Sequence, residues 1–242
     1  MENIIQATKL TKMYGEKETS VTALDNVDVQ FNENEFTAIM GPSGSGKSTL
    51  LHCLAGLDRP TSGQIFLKDQ DISTLNDKQL TKIRRDSFGF VFQAFNLIPT
   101  LTAEENITLP ASIAGKKPDM DWVKKVVDTV DISDRLTHRP NELSGGQQQR
   151  VAAARAMATK PEVIFADEPS GNLDSKSSKE LLVFMKSVVE ELNQTIIMVT
   201  HDPYAASFAN RVVMLKDGKI ASDLEEPTQE EIISEVTALS DI

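Results

Sequence analysis

Hydrophobic and polar residues alternate along the first part of the chain in two stretches. Residues 4–14 and 23–31 place apolar side chains at close to every second position, and the polar segment 15–20 separates the two stretches. A period of two is typical of β-strands that bury one face. We therefore expect these stretches to form two antiparallel strands.

Buried strands and helices follow one another after this point. The short, mostly apolar run at 36–40 predicts a buried strand. The elements expected after it are a helix at 47–57, a strand at 64–67, a helix at 77–85, a strand at 88–92, a strand at 162–167, a helix at 176–191, a strand at 195–200 and two short strands near 211–222. This alternation predicts an α/β fold with a largely parallel sheet.

A helix-rich stretch interrupts the alternation. Helices are expected at 103–114 and at 121–130, where four valines share one face, and a third helix opens at Ser144. Ser144 and Gln147 fit the capping-box pattern, which places Ser144 at the helix N-terminus. Gly145 and Gly146 leave that N-terminus open to the close approach of an anion.

These patterns predict one domain with an inserted subdomain. We expect residues 1–223 to form the domain, with a core of 1–93 and 159–223 and a helical subdomain of 94–158. Residues 224–242 form a short acidic tail, which we expect to be a small helix or a frayed end.

Composition narrows the classes of protein and of partner. No apolar run in the 242 residues approaches the roughly 20 that span a bilayer, and the N-terminus lacks the features of a signal peptide. We therefore expect a cytoplasmic protein without direct membrane insertion, whose membrane role, if any, comes through a partner chain. The formal net charge of −11 argues against nucleic acid as the main partner. The single cysteine, Cys53, excludes a disulfide framework and a cysteine zinc site.

Residues 41–48, GPSGSGKS, follow the strand expected at 36–40 and fit the P-loop pattern G-x-x-x-x-G-K-[ST]. The backbone N–H groups of such a turn and of the helix after it bind phosphate oxygens. Lys47 adds a positive charge near the β- and γ-phosphates, and Ser48 offers a hydroxyl to Mg²⁺. A glycine-rich turn that binds nothing is the alternative, against which strand, loop, lysine and serine all argue.

Further motifs follow in a fixed order. They are Tyr14 in KMYG, Gln93 in VFQ, LSGGQ at 143–147, VIFAD at 163–167 with Glu168 after it, GNLDS at 171–175 and His201 in VTHD. With the P-loop, they make residues 4 to about 223 resemble the nucleotide-binding ATPase of ABC transporters. The resemblance implies a P-loop NTPase (RecA-like) core, an N-terminal antiparallel β subdomain and an inserted α-helical subdomain.

The resemblance also implies a site for ATP and Mg²⁺. The residues expected to bind ATP are Tyr14, Gly41, Pro42, Ser43, Gly44, Ser45, Gly46, Lys47, Ser48, Thr49, Ser144, Gly145, Gly146, Gln147 and Asp174, and those expected at Mg²⁺ are Ser48, Gln93 and Asp167. Glu168 is expected to orient the attacking water, His201 to sense the γ-phosphate, and Gln93 to contact the metal or the water.

Simpler interpretations exist for four of these residues. Aromatic residues in strands usually serve packing, so Tyr14 gains its adenine-stacking role only from the resemblance. Gln93 has the alternative of an ordinary amide at a strand end, and His201 that of a structural histidine. Asp174 has the alternative of a helix cap, which is compatible with a place at a dimer interface.

The resemblance implies partners as well. In this family, LSGGQ of one subunit closes over the γ-phosphate bound by the other, so we expect a homodimer in the ATP-bound state. Integral membrane permease subunits are the second expected partner, which places the chain at the cytoplasmic face of the cell membrane. The apolar segment 94–99, with Phe95 and Leu97, is a candidate contact for the permease. Its alternative is packing inside the helical subdomain.

Four stretches indicate one branch of the family. ALDNV, GLDRPTSG, FQAFNLIPTLTAEENI and DEPSGNLDS resemble the ATPases of lipoprotein-releasing, macrolide and antimicrobial-peptide exporters, with a cell-division relative (LolD-, MacB- and FtsE-like). Ser170 stands where threonine is commoner in this branch. Transport by export or extraction of a peptide, drug or lipoprotein is the function expected. The alternative is an ATP-driven regulator that acts on a cell-envelope hydrolase or a signalling complex through a membrane partner, without transport.

Overall fold

The computed structural model describes residues 2–15 and 19–240, with only the backbone of residue 240. Part of the polar segment predicted at 15–20 therefore lies outside the described residues. The chain divides into two compact units. The first consists of residues 1–82 and 197–242, and the second of residues 83–196.

The described strands and helices are numbered in chain order. The strands are β1 (Asn3–Tyr14), β2 (Val21–Asn32), β3 (Phe36–Met40), β4 (Ser62–Leu67), β5 (Gln70–Asp71), β6 (Phe88–Phe92), β7 (Val163–Asp167), β8 (Ile196–Val199), β9 (Arg211–Lys216) and β10 (Lys219–Glu225). The helices are α1 (Lys47–Leu54), α2 (Asp77–Ser87), α3 (Ala103–Ile113), α4 (Met120–Thr129), α5 (Gly145–Met157), α6 (Ser175–Leu192), α7 (Pro203–Ala206) and α8 (Gln229–Ser240).

The first unit contains an antiparallel sheet in the order β2-β1-β4-β5. Ile5 of β1 lies opposite Phe31 of β2 on one side and Leu67 of β4 on the other. Ile5 and Phe31 have no solvent exposure, so this face of the sheet is core. The antiparallel pairing predicted for the two N-terminal strands is confirmed.

The first unit also contains strands in the order β10-β9-β3-β8. β3 runs parallel to β9 and is buried along its whole length, as its short apolar run predicts. The P-loop follows directly after β3. The tail forms helix α8, which buries Ile232, and its Leu239 carbonyl accepts a hydrogen bond from Lys216 Nζ (2.7 Å). Of the two alternatives for the tail, the helix is correct.

The second unit combines a parallel strand pair with helices. β6 and β7 pair in parallel, and Phe88 of β6 packs edge-on against Phe165 of β7 with the ring centroids 5.1 Å apart. Helix α4 buries Val123, Val126 and Val127, which confirms the apolar face predicted from the valines.

One helix ends earlier than the sequence predicts, and one short helix was not predicted. α1 ends at Leu54, three residues earlier than expected, because Gly56 adopts a left-handed conformation (φ 62°) that stops the helix. The short helix α7 was not expected, since four residues carry too little periodicity to predict one. None of the helices in the described part of the chain combines the length and the apolarity needed to cross a bilayer.

Candidate functional site

The P-loop is shaped by two glycines at which a side chain would collide with backbone. A Cβ on Gly41 (φ 145°) would lie 2.0 Å from the Leu215 carbonyl oxygen. A Cβ on Gly46 (φ 100°) would lie 2.3 Å from the Ala23 carbonyl oxygen. Both positions also have positive φ, which other residues adopt at a cost. The loop therefore has its shape because glycine occupies these positions.

Helix α1 begins at Lys47, directly after this loop. Its N-cap residue is Gly46, no side chain caps the helix, and no acidic residue lies in its first turn. The positive end of the helix dipole is consequently not neutralised by a side chain of the helix itself. Ser48 is exposed in the first turn, and Ser43 and Gly44 are exposed on the loop. An uncapped helix N-terminus of this kind favours an anion.

Lys47 and Ser45 complete the loop. Lys47 Nζ donates hydrogen bonds to the carbonyl oxygens of Gly41 (2.9 Å) and Pro42 (2.8 Å), which holds the ammonium over the loop. Ser45 is buried, and its Oγ has no hydrogen-bond partner among the described residues. A buried hydroxyl without a partner costs free energy, so this atom fits a site that is satisfied by a ligand.

Tyr14 lies at the end of β1, and the residue is 42% exposed. Its hydroxyl donates to Asp58 Oδ2 (2.6 Å), and Lys12 Nζ lies 4.7 Å from the ring centroid. Lys12 also donates to Asp58 Oδ1 (2.6 Å). The pKa of Tyr14 is raised above its ordinary value, mainly by burial and next by the hydrogen bond to Asp58. A hydrogen bond between the Tyr14 hydroxyl and the Thr49 side chain opposes this rise. The structure thus brings Tyr14 to Thr49 of α1, and both were predicted at the nucleotide.

His201 follows β8 and is exposed. The next residue, Asp202, caps the short helix α7 by accepting a hydrogen bond from the Tyr204 N–H (2.9 Å). The Asp202 N–H in turn donates to Thr200 Oγ1 (3.1 Å). These local bonds fix the backbone on both sides of His201 and leave its ring at the surface of the first unit.

In the second unit, two predicted site residues come directly after a pair of aligned strand ends. Phe92 of β6 lies opposite Asp167 of β7, so Gln93 and Glu168 follow at the same edge. Glu168 has a left-handed backbone (φ 47°), and its carbonyl accepts a hydrogen bond from the Gly171 N–H (3.0 Å). A non-glycine residue in this conformation stores about 1–3 kcal/mol of strain, which is common at functional sites.

The LSGGQ motif forms the predicted capping box. Ser144 Oγ accepts from the Gln147 N–H (3.3 Å), and Gln147 Oε1 accepts from the Ser144 N–H (2.9 Å). The start of α5 is exposed at Ser144 and Gly145. A Cβ on Gly146 would lie 3.0 Å from Ser177 Oγ, so this glycine allows the first turn of α6 to approach the first turn of α5.

Asp174 caps α6, which confirms the cap expected for it. Its Oδ1 accepts hydrogen bonds from the N–H groups of Lys176 (3.0 Å) and Ser177 (2.9 Å). Hydrogen bonds from the Ser177 backbone and side chain lower the pKa of Asp174, so the carboxylate is ionised at neutral pH. The N-termini of α5 and α6 therefore lie together in the second unit.

Three residues at these sites were not singled out by the sequence. Asp58 orients Tyr14, and Asn172 hydrogen-bonds Gln93. Gln149 has no solvent exposure, and its Nε2 donates to the carbonyl oxygens of Phe92 (3.3 Å) and Pro169 (2.7 Å). The run of three glutamines at 147–149 is a signal for Gln149, because a polar residue on the buried face of a helix needs partners.

The predicted residues thus fall into two groups. Tyr14, the P-loop, Thr49 and His201 belong to the first unit. The second unit brings together Gln93, Asp167, Glu168, the LSGGQ motif and Asp174. Cys53 is fully buried, and burial raises its pKa to about 12, so the thiol is not a nucleophile for either group.

Comparison with known proteins finds similarity to ATP-binding proteins of one family. Residues 24–171 match the family described as ABC transporter. The chain is 45% identical to the uncharacterized ABC transporter ATP-binding protein MJ0796 of Methanocaldococcus jannaschii over 90% of this chain and 95% of that one. It is 44% identical to the bacitracin export ATP-binding protein BceA of Halalkalibacterium halodurans, over 91% of this chain and 88% of that one.

A longer relative and a solved structure complete the comparison. The macrolide export ATP-binding/permease protein MacB of Marinobacter nauticus is 44% identical over 91% of this chain, which spans only 34% of that protein. A dimeric structure of MJ0796 in a post-hydrolysis state, bound to ADP and Pi, superimposes with a TM-score of 0.81 at 42% identity, over 92% of this chain and 99% of that one.

Proposed function

The chain belongs to the ABC transporter family, as an ATP-binding cassette with ATPase activity, and from this premise we propose how its residues share the work. ATP binds to the P-loop of one copy and is enclosed by the LSGGQ motif of a second copy. Closure of this homodimer drives a membrane permease, and hydrolysis lets the two copies separate. The observation that carries the proposal is the uncapped N-terminus of α1 behind a loop in which Gly41 and Gly46 admit no side chain.

The first unit binds the nucleotide. Lys47 exchanges its bonds to the Gly41 and Pro42 carbonyls for the β- and γ-phosphates, since a phosphate attracts an ammonium more strongly than a neutral carbonyl does. The exposed face of Tyr14 stacks on adenine. Asp58 and Lys12 hold the ring in place for this stacking through the hydrogen bond to its hydroxyl and the cation over its ring.

Mg²⁺ enters with ATP. In the described ranges 2–15 and 19–240, no group of three or more His, Cys, Asp or Glu side chains can hold a metal by itself. Mg²⁺ fits such a chain because it needs only one or two protein ligands when phosphates and water supply the rest. We assign the Ser48 hydroxyl, the Asp167 carboxylate and the Gln93 amide oxygen to it, all hard oxygen donors. When bound, Mg²⁺ neutralises charge on the phosphates.

Glu168 orients the water that attacks the γ-phosphate. An ionised carboxylate accepts a hydrogen bond from water and polarises it. The left-handed backbone at Glu168 turns the chain directly after β7. His201, which is exposed after β8, senses the γ-phosphate, and its imidazole can donate a hydrogen bond.

The signature helix closes the site of the partner copy. Ser144 and the backbone at Gly145 and Gly146 present the N-terminus of α5, which favours the negative γ-phosphate. Asp174, at the adjacent N-terminus of α6, contributes to the dimer interface. Because these contacts form only when ATP bridges two chains, ATP stabilises the dimer selectively.

The permease docks in an apolar groove of the second unit. A cavity of about 320 Å³ is lined by the aromatic side chains of β6, by Leu109, Pro110 and Ile113 of α3, and by Arg84, Arg85 and Arg155. Ile113 is 73% exposed, which is unusual for a large apolar residue without a partner. The groove therefore suits a short helix with an apolar face and acidic residues at its edge.

The segment predicted to dock lies beside the signature motif. Phe95 and Leu97 are half-buried, and a Cβ on Gly145 would lie 3.7 Å from the Phe95 ring. Arg155 donates to the carbonyl oxygens of Phe95 (3.0 Å) and Asn96 (2.6 Å), which fixes the backbone of the segment. We propose that this segment borders the docking groove. We also propose that residues 1–223 form one cassette, in which residues 94–158 are the inserted helical subdomain and residues 1–93 and 159–223 are the core. Docking on the permease places the chain at the cytoplasmic face of the membrane.

We propose that the chain serves an exporter. The relatives MacB and BceA are named for export of a macrolide and of bacitracin, and the chain matches both at 44% identity. An amphipathic peptide, a drug or a lipoprotein moved by the permease is therefore the expected cargo.

ATP binding and turnover test the proposal on three variants. Lys47→Ala should lose ATP affinity, whereas Glu168→Gln should keep it and lose turnover by about 10²–10⁴-fold, the range of a positioned acid–base group. Glu190→Gln, on the exposed side of α6, is the matched control for the charge change and should behave as the parent. Parental turnover in Glu168→Gln would overturn the assignment of the water-orienting residue.

A further inference from the structure

Two loops of the second unit are joined by a reciprocal pair of amide hydrogen bonds. Gln93 Nε2 donates to Asn172 Oδ1 (3.1 Å), and Asn172 Nδ2 donates to the Gln93 backbone carbonyl (3.1 Å). Gln93 follows β6, and Asn172 lies in the loop between β7 and α6. Each side chain thus fixes the other, and the two loops are held at one separation.

The adjacent glycine is an independent sign of the same contact. A Cβ on Gly171 would lie 2.8 Å from Gln93 Nε2 and 3.1 Å from its Cδ. Gly171 has no positive φ, so its backbone conformation does not require glycine. The space that its missing side chain leaves is filled by the Gln93 amide. Both neighbours in the sequence, Gly171 and Asn172, therefore shape the position of this one side chain.

A buried glutamine supports the arrangement from behind. Gln149 Nε2 donates to the carbonyl of Phe92, the residue before Gln93, and to the carbonyl of Pro169, the residue after Glu168. These bonds hold the starts of both loops to helix α5. The backbone of each loop is thus fixed at its origin, and the orientation of the Gln93 side chain depends on Asn172.

The donor pattern determines which atom of Gln93 is presented. Because Asn172 Oδ1 accepts from Nε2, the pair uses a donor of the Gln93 amide and does not use its Oε1 oxygen. An amide oxygen is the atom that coordinates Mg²⁺ or accepts a hydrogen bond from water. We propose that Asn172 is a positioning residue for ATP hydrolysis: it holds the Gln93 amide so that Oε1, and not Nε2, is presented to the metal and water.

This inference rests on the function proposed for Gln93. It adds that the loop carrying Asp174, which we assign to the dimer interface, determines the orientation of Gln93 through Asn172. Movement of that loop on dimer closure would then move the Gln93 amide.

Steady-state ATPase kinetics on Asn172→Ala test the proposal. Loss of the two bonds should lower kcat about five- to twentyfold with little change in KM, which corresponds to about 1–1.8 kcal/mol at about 1.36 kcal/mol per tenfold. Two hydrogen bonds of ordinary strength supply a loss of this size. Asn172→Asp keeps the acceptor for Gln93 Nε2 and should lose less. Gly171→Ala should lower kcat similarly, by pushing the amide aside. Asn141→Ala, an exposed asparagine of the same unit, is the matched control and should keep parental kinetics.

A double-mutant comparison separates this role from a structural one. If Asn172 acts through Gln93, Gln93→Ala with Asn172→Ala should be no slower than Gln93→Ala alone. The side-chain NH₂ resonances of Gln93 give a readout without turnover: Asn172→Ala should shift them and speed their hydrogen exchange. Parental kcat and unshifted resonances in Asn172→Ala, with Gln93→Ala impaired, would overturn the inference. Parental kcat in Gln93→Ala would instead overturn the function proposed for Gln93.

Discussion

Two of the three P-loop glycines, Gly44 and Gly46, allow the shape of the phosphate site to be tested by matched substitutions. Both have positive φ, 81° and 100°, so alanine is strained at either position. Their surroundings differ. A Cβ on Gly44 would have no heavy atom within 4 Å, whereas a Cβ on Gly46 would lie 2.3 Å from the Ala23 carbonyl oxygen and 3.1 Å from Leu24 Cδ2.

The difference in surroundings gives different costs. Gly44→Ala should lower the free energy of unfolding by about 1–2 kcal/mol, the cost of a left-handed alanine. In Gly46→Ala the new Cβ also collides with backbone that cannot move aside. This overpacking should lower the free energy of unfolding by about a further 1–3 kcal/mol. For a chain of this size, each kcal/mol lowers Tm by about 2–4 °C. Gly46 is also the N-cap of α1, so the displaced helix should bind ATP more weakly.

Urea unfolding and ATP titration on both variants check this reasoning. We expect Gly44→Ala to keep most of the ATP affinity and Gly46→Ala to lose more stability and more affinity. Equal stability and equal ATP affinity in the two variants would refute the claim that the close approach of Ala23 to Gly46 shapes the loop.

Three further predictions follow from the structure. Ser144→Arg should abolish turnover while ATP affinity stays parental, because we propose that Ser144 acts on the nucleotide of the partner. Mixing this variant with Lys47→Ala chains should restore activity, and heterodimers without activity would count against the composite site. Ile113→Asp should leave folding and ATP binding of the isolated chain unchanged and reduce copurification with the permease; undiminished copurification would exclude the groove as the docking site. Burial alone would raise the pKa of Asp58, but hydrogen bonds from Lys12 and Tyr14 outweigh burial and lower that pKa. These bonds therefore stabilise the folded chain above the ordinary Asp pKa of about 3.9, and this stabilisation is lost as the pH falls through the lowered pKa. Asp58→Asn should therefore destabilise the chain at pH 7, and that difference should shrink as the pH falls below the ordinary Asp value; a difference that stays constant with pH would contradict this linkage.

The sequence predicts the order of the longer elements because each of them carries its own periodic or capping signal. β3 is a short apolar run, and the capping boxes and N-caps at Ser144 and Asp174 depend only on residues within one turn of the helix. The P-loop was predictable for the same reason, since its glycines, lysine and serine are contiguous. Local patterns thus determine where the proposed site residues lie in the elements.

Contacts between distant residues were not predictable in this way. Tyr14 meets Asp58 across 44 positions, and Gln93 meets Asn172 across 79. No periodicity links such residues, because the contact arises only when separate strands and helices pack. Gln149 illustrates the limit: its burial follows from the helix face, but its two carbonyl partners depend on where β6 and β7 end.

The central claim is that ATP holds two copies of the chain together as a dimer. The mass of the Glu168→Gln protein in the presence of ATP tests this claim most directly. Light scattering after size exclusion should give twice the chain mass of 26.6 kDa in ATP and Mg²⁺, with one ATP retained per chain. The same protein with ADP should elute as a monomer, since ADP lacks the γ-phosphate that we propose Ser144 and the N-terminus of α5 contact. A monomer that retains ATP, or a dimer that forms equally with ADP, would contradict the account.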